Sequence, residues 1–225
     1  MEPMERIAQA LGHDFSEPDL LREALTHRSA GAANNERLEF LGDALLNSII
    51  AIELYRLRPA SPEGELSRLR ASLVRGETLA GIAREIGLGE ALVMGEGERK
   101  SGGHRRASIL ADAFEALVGA MFLDSDFETA RARVLALFAS RLTDLPNADE
   151  LKDPKTRLQE YLQSRRYSPP ADEVLEVTGA DHEQRFTVRC RIEALDCERQ
   201  ATARSRRKAE QKAALTCLEA LAQHH

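Results

Sequence analysis

Five carboxylates carry the first chemical signal. Glu36, Glu39 and Asp43 lie in the stretch N-E-R-L-E-F-L-G-D at 35–43. Offsets of three and four put all three on one face of a helix. The run after them, A-L-L-N-S-I-I-A-I-E-L at 44–54, is apolar nearly all the way round. That pattern predicts a buried helix. Acids on a buried helix are costly unless positive charge compensates them, and no column of Lys or Arg matches this stripe. A bound cation is the simplest compensation. A second apolar run, 107–123, has only Asp112 and Glu115 as charges, again three apart. Two such helices facing each other pool four or five carboxylates. All-oxygen ligation suits Mg²⁺, with Mn²⁺ as a substitute, rather than Zn²⁺. No His stands at the offsets of a Glu-x-x-His di-iron bundle, which argues against redox iron.

The elements that must position these acids are read from periodicity and punctuation. Met4–Leu11 and Asp19–Thr26 are amphipathic, the second opened by Pro18 and closed by His27 and Arg28. His27 is read as a structural hydrogen-bonder. Asn34 or Asn35 caps the acid-bearing helix. Gly42, a poor helix former, is explained by close approach of another backbone. P-A-S-P-E-G at 59–64 breaks the chain, leaving Glu63 just ahead of a helix over 65–75. A helix over 77–86 follows. Residues 89–103 hold five glycines and read as loop; K-S-G-G-H-R-R at 100–106 is a weak phosphate signal. Ala113, Ala116, Gly119 and Ala120 give the Asp112 helix a small-residue face for tight helix contact. A single amphipathic helix is expected over 126–142.

The pattern changes after a short polar stretch. Asp153-Pro154 caps and starts a helix to residue 164, with Leu158, Tyr161 and Leu162 inward. Thr156, Gln159, Glu160 and Gln163 form its polar face. Alternating runs at 173–178 and 185–192 read as strands, and 198–203 as a weaker third. In the second run Phe186, Val188, Cys190 and Ile192 face inward. Ser205 caps a last helix over 206–222. Arg206, Arg207 and Lys208 sit in its first turn, against the macrodipole, which favours a shared anion such as phosphate. The expected fold class is α+β with two domains. An all-α domain spans 1–145, a linker 146–152, and an α-β-β-β-α domain 153–225.

These motifs resemble bacterial ribonuclease III, the Mg²⁺-dependent endonuclease of double-stranded RNA. E-R-L-E-F-L-G-D at 36–43 is the specific signature. L-T-H-R-S (25–29), L-V-R-G-E-T-L-A (73–80), S-G-G-H-R-R-A-S-I-L-A-D-A-F-E-A-L-V-G (101–119) and K-D-P-K-T-R-L-Q-E-Y-L-Q (152–163) follow the family in order. The tail resembles its double-stranded RNA-binding domain, although many such domains carry Lys where this chain has Glu210.

The resemblance implies a role for each residue. Glu39, Asp112 and Glu115 hold Mg²⁺, while Asp43 and Glu115 are catalytic. Asp43 orients water at the ion or binds the ion through it. A second ion recruited with RNA would stabilise the leaving oxygen. Glu36, Glu63 and Asn47 support the site. Thr156, Gln159, Glu160, Gln163, His182, Ser205, Arg206, Arg207 and Lys208 meet RNA. The resemblance further implies a homodimer, 5′-phosphate and 3′-hydroxyl products, and processing of ribosomal RNA precursors and other structured transcripts. Two other readings stay open on the residues alone: a Mg²⁺-dependent nucleotide pyrophosphohydrolase, which has no need of the tail, and a non-catalytic duplex-RNA-binding dimer, which has no use for the acids.

Composition agrees with this division. The chain has 225 residues and a net charge of −6, which taken whole argues against nucleic acid. Residues 151–225 hold 14 basic and 12 acidic side chains, and residues 1–150 hold 17 and 25. A cation-collecting acidic part joined to a mildly basic one fits a metal-dependent enzyme with a nucleic-acid-binding attachment. With no Trp, three Tyr and seven Phe, stacking platforms for single strands are scarce. That favours a duplex read by shape and 2′-hydroxyls. Three cysteines without metal spacing suggest reduced thiols in a cytoplasm. No secretory signal or membrane span is expected.

Overall fold

The structure is a computed structural model that describes residues 2–146, 151–180 and 183–223. The chain divides into two compact units, Met1–Ala148 and Asp149–His225. The first is helical. Its elements are α1 Pro3–Leu11, α2 Pro18–Ala24, α3 Glu36–Leu57, α4 Glu63–Leu73, α5 Gly76–Glu85, α6 Leu88–Ala91, α7 Glu96–Lys100, α8 Ala107–Asp124, α9 Phe127–Leu137 and α10 Ala139–Thr143.

Helix α8 is the axis of this unit. From Ile109 to Met121 every residue is buried except Asp112 and Glu115. An all-apolar helix is stable only at the centre of a core, and α2, α3, α5 and α9 pack around it. The crossing with α3 is closest. A Cβ on Gly42 would lie 1.7 Å from the Glu115 carbonyl oxygen, and one on Gly119 would lie 2.5 Å from that of Leu38. No side chain larger than hydrogen fits at either point. The small-residue face of α8 therefore meets α3 within the unit.

Several local expectations are corrected. Helix α3 is buried on one side only. Leu38, Leu46, Ile49, Ile50 and Leu54 are inside, whereas Phe40 is 81% and Tyr55 73% exposed, with Ile52 also at the surface. Helix α4 begins at Glu63 rather than after it, because Pro62 supplies an extended N-cap. The glycine-rich stretch holds α6, α7 and a 3-10 turn at Gly103–Arg105 instead of open loop. The helix expected over 126–142 breaks at Phe138, whose ring is fully buried and contacts Phe114. Asn35 precedes α3 without capping it through its side chain. Its Nδ2 donates to the Ala24 carbonyl, and Asn34 Oδ1 accepts from Glu36 N instead.

The second unit is α11 Pro154–Ser164, β1 Ala171–Thr178, β2 Arg185–Ile192, β3 Cys197–Ala203 and α12 Arg206–Gln223. The antiparallel sheet has order β1-β2-β3. Leu158 and Leu162 of α11, Cys190 and Ile192 of β2, and Ala213, Ala214 and Cys217 of α12 form its core. The strand β1 starts two residues earlier than expected. A bulge between Val174 and Glu176 breaks its alternation, so Val174 and Leu175 are both half-buried. In β2, Val188, Cys190 and Ile192 are buried and Phe186 partly so. The cysteines are free and buried. Contact with Cys190, then burial, raises the Cys217 thiol's pKa, so it stays protonated.

Candidate active site and nucleic-acid interface

The α3–α8 crossing gathers acids. Glu115 lies at the contact itself, since its carbonyl faces Gly42. Glu39 and Asp43 flank Gly42 on α3, and Asp112 lies one turn before Glu115 on α8. Carboxylate oxygens of Glu39, Asp112 and Glu115 lie within 4.8 Å of one another. All three residues are half-buried. Burial first, then the charges of Asp43, Asp112 and Glu39, push the Glu115 carboxyl up to about 8. Glu39 is raised by burial and by Asp112, Glu36 and Asp43, against Arg28. Asp112 is raised by burial, against His27 and Arg28. Crowded acids with raised affinity for protons are the mark of a site short of positive charge.

The expectation that no cation accompanies the stripe needs one correction. Arg28 reaches Glu36, Nη1 to Oε1 at 3.5 Å, and its charge acts on Glu39 and Asp112. It does not neutralise the cluster, because Glu115 stays raised. The signal was present in the sequence: Arg28 stands in the turn just ahead of α3. His27 Nδ1 pairs with Ser29 Oγ at 2.8 Å, a structural role. Asn47 Nδ2 donates to the Asp43 carbonyl at 3.0 Å and to its Oδ1 at 2.9 Å, orienting that carboxylate. Asp43 itself is exposed. Glu63 does not join the cluster. It accepts from Ser67 Oγ at 2.6 Å beside Tyr55. The donor set is oxygen only, and it fits a hard divalent cation.

In the second unit, Thr156, Gln159, Glu160 and Gln163 are all exposed on one face of α11, opposite Leu158 and Leu162. Glu160 is paired with Lys152. Ser205 Oγ accepts from Lys208 N at 3.3 Å and so caps α12. Arg206, Arg207 and Lys208 are exposed in its first turn. His182 lies outside the described residues. The sequence reading missed an ionic network behind this turn. Lys155 Nζ is 2.7 Å from Asp172 Oδ2 and 2.8 Å from Glu210 Oε2, and Arg206 Nε is 2.8 Å from Glu210 Oε1. Hydrogen bonds from Lys155 and Arg206 outweigh burial and hold the Glu210 carboxyl below its usual range.

An acid cluster on a helical unit and a basic helix start on an α-β-β-β-α unit are the parts that a nuclease of duplex nucleic acid needs. The comparisons with known proteins agree. The Ribonuclease-III-like family profile matches residues 17–142, and the Double-stranded RNA binding motif matches 154–221. Ribonuclease 3 of Alkalilimnicola ehrlichii is 54% identical over 223 residues, covering 99% of this chain and 98% of that protein. Ribonuclease 3 of Vibrio cholerae is 53% identical over 219 residues, covering 97% of each.

Among solved structures, the nuclease domain of ribonuclease III from Campylobacter jejuni matches 65% of this chain and 100% of its own. The identity is 39% and the TM-score 0.62. Another structure of that domain, described as flexible in the region involved in dimer formation, matches 61% and 96% of the two chains. There the identity is 41% and the TM-score 0.60. The chain belongs to the ribonuclease III family. It is an endoribonuclease of double-stranded RNA with an RNA-binding second unit, which sets aside the pyrophosphohydrolase and non-catalytic readings.

Proposed function

We propose that the α3–α8 acid cluster is a Mg²⁺ site at which duplex RNA is hydrolysed to 5′-phosphate and 3′-hydroxyl ends. The observation that carries this reading is the meeting of Glu39, Asp112 and Glu115 within 4.8 Å. These three carboxylates would hold the ion, and Mn²⁺ could replace it. When bound, the ion supplies Lewis-acid stabilisation of developing negative charge and lowers the pKa of water. Asp43, fixed by Asn47, accepts a hydrogen bond from the attacking water and aims it at phosphorus. Glu115, the most crowded acid, would serve the ion as a carboxylate. Glu36 and Glu63 position RNA or the subunit interface.

The nuclease domain is assigned to 1–145, the linker to 146–152 and the RNA-binding domain to 153–225. On the latter, Thr156, Gln159, Glu160 and Gln163 face the minor groove, and His182 a second one. Ser205, Arg206, Arg207 and Lys208 line the surface that meets the RNA backbone. The active form is a homodimer. Exposed Phe40, Ile52 and Tyr55 on α3 support this, as does a hollow of about 660 Å³ beside Phe40, lined by four leucines and by Glu23, Glu36 and Arg37. The proposed setting is the cytoplasm and the processing of ribosomal RNA precursors and other structured transcripts. Among the described residues no helix is long and apolar enough to cross a membrane.

Incubation with a long RNA duplex, with and without Mg²⁺, followed by end-group analysis, tests the proposal. The expected result is Mg²⁺-dependent fragments with 5′-phosphate ends. Equal cutting in chelator, or 3′-phosphate ends, would contradict it.

A further inference from the structure

The ionic network behind the first turn of α12 makes its three cations unequal. Arg206 Nε pairs with Glu210 Oε1 at 2.8 Å, although the Arg206 side chain is 64% exposed. Arg207 only approaches Asp153, at 4.0 Å. The Lys208 side chain is exposed, and no ion pair engages it among the described residues. Glu210 is itself well fixed. Its side chain is 13% exposed, and its other oxygen accepts from Lys155 Nζ at 2.8 Å. Lys155 in turn keeps a second carboxylate, Asp172, at 2.7 Å. Removing the charge at 210 would leave Lys155 still neutralised and release one cation, Arg206.

We infer that Glu210 sets the affinity of this chain for duplex RNA by withholding Arg206 from phosphate. This rests on the reading that the first turn of α12 meets the RNA backbone. A phosphate approaching that turn must compete with a carboxylate already holding the Arg206 guanidinium, so the gain from that contact largely cancels. Each phosphate neutralised by a free cation releases about one counterion, and that count is read from the salt dependence of binding. With Arg206 occupied, the turn offers two free cations instead of three. Moderate affinity serves an enzyme that must release cut duplex, since affinity differences between related complexes reside mainly in dissociation rates.

The test is duplex-RNA binding by the full chain in chelator, so that nothing is cut, measured across a salt series. Glu210→Gln keeps the shape but leaves a single acceptor oxygen and no charge, so Lys155 and Arg206 can no longer both be held. It should tighten binding ~5-fold at low salt and steepen the log–log salt slope by about one. Arg206→Gln should change the wild-type slope little, yet should abolish the gain in a Glu210→Gln background, a coupling a double-mutant cycle reads directly. Asp172→Asn, which loosens Lys155 without touching Arg206, should lower thermal stability and leave the slope unchanged. Weaker or unchanged binding by a folded Glu210→Gln chain overturns the inference. Should that variant not fold, a full-unit flattening by Arg206→Gln alone overturns it equally. If neutralising Arg206, Arg207 and Lys208 together leaves the slope untouched, the RNA-facing assignment of the turn fails instead.

Discussion

Two regions of this molecule crowd like charges, and they resolve the crowding differently. At the α3–α8 crossing the acids stay uncompensated. Arg28 takes up exposed Glu36, while Glu115 is pushed up to about 8. At the start of α12 one cation, Arg206, is compensated from within by Glu210, while Arg207 only approaches Asp153. On the proposed function, a single divalent cation would complete the first arrangement, and the second would meet a polyanion with part of its charge held in reserve. Residual charge, rather than charge as such, would then distinguish a site that traps an ion from a surface that grips and releases RNA.

The contrast can be broken most forcefully at Glu115. Glu115→Gln keeps the α8 packing but removes the ionisable carboxyl at the crossing. We expect kcat for duplex cleavage to fall by about 10³-fold or more, the scale of a lost principal electrostatic stabiliser, with duplex affinity within a few-fold of wild type. Near-normal cutting in a single-turnover assay would remove Glu115 from the site.

Geometry is the next lever. Gly42→Ala must move α3 off the Glu115 carbonyl. Overpacking of this kind costs about 3 kcal/mol, offset by at most about 1 kcal/mol of helix propensity. A melt several degrees lower, together with loss of cleavage, is expected; unchanged values of both would mean that the crossing does not shape the cluster.

On the second unit, joint Gln substitution of Arg206, Arg207 and Lys208 should weaken duplex binding by about 10–100-fold and flatten the salt slope by about two. The effect should be alike across RNA sequences, and a sequence-dependent loss would speak against phosphate contact.

The smallest effect belongs to a carboxylate whose needs are met. Burial pushes Asp124 up, but N–H groups of Glu17 and Ser16 and the His13 ring outweigh it and hold the carboxyl below its usual range. His13 Nε2 is 2.8 Å from Asp124 Oδ2. A depressed native pKa stabilises above the unfolded value, near pH 4, and that contribution fades as pH falls through the native value. Asp124→Asn should cost about 1–2 kcal/mol at neutral pH and flatten the acid limb below about pH 4. An identical acid limb would show the pair contributes nothing.

How far the sequence revealed all this depends on which force decides each feature. Helix α8 and its two acids were legible because nothing but a core position suits so apolar a helix. Gly42 was legible as a close approach because glycine mid-helix has little other use. The exposed side of α3 was not: a helix apolar on every side has no periodicity to say which face is covered. Phe138 ends α9 through its packing against Phe114, a tertiary cause with no local signature. The β1 bulge at 174–176 is likewise set by its partner strand. Glu210 was legible as a departure from a pattern, but its ties to Lys155 and Arg206 join residues up to 55 positions apart, which no local reading could pair.

Whether acids from α3 and α8 form one divalent-cation site is decided by electron paramagnetic resonance titration of the intact chain with Mn²⁺, in competition with Mg²⁺. The expected result is binding that Mg²⁺ displaces and that Glu39→Gln, Asp112→Asn and Glu115→Gln each weaken by about tenfold or more. Mn²⁺ binding indifferent to all three substitutions would contradict it.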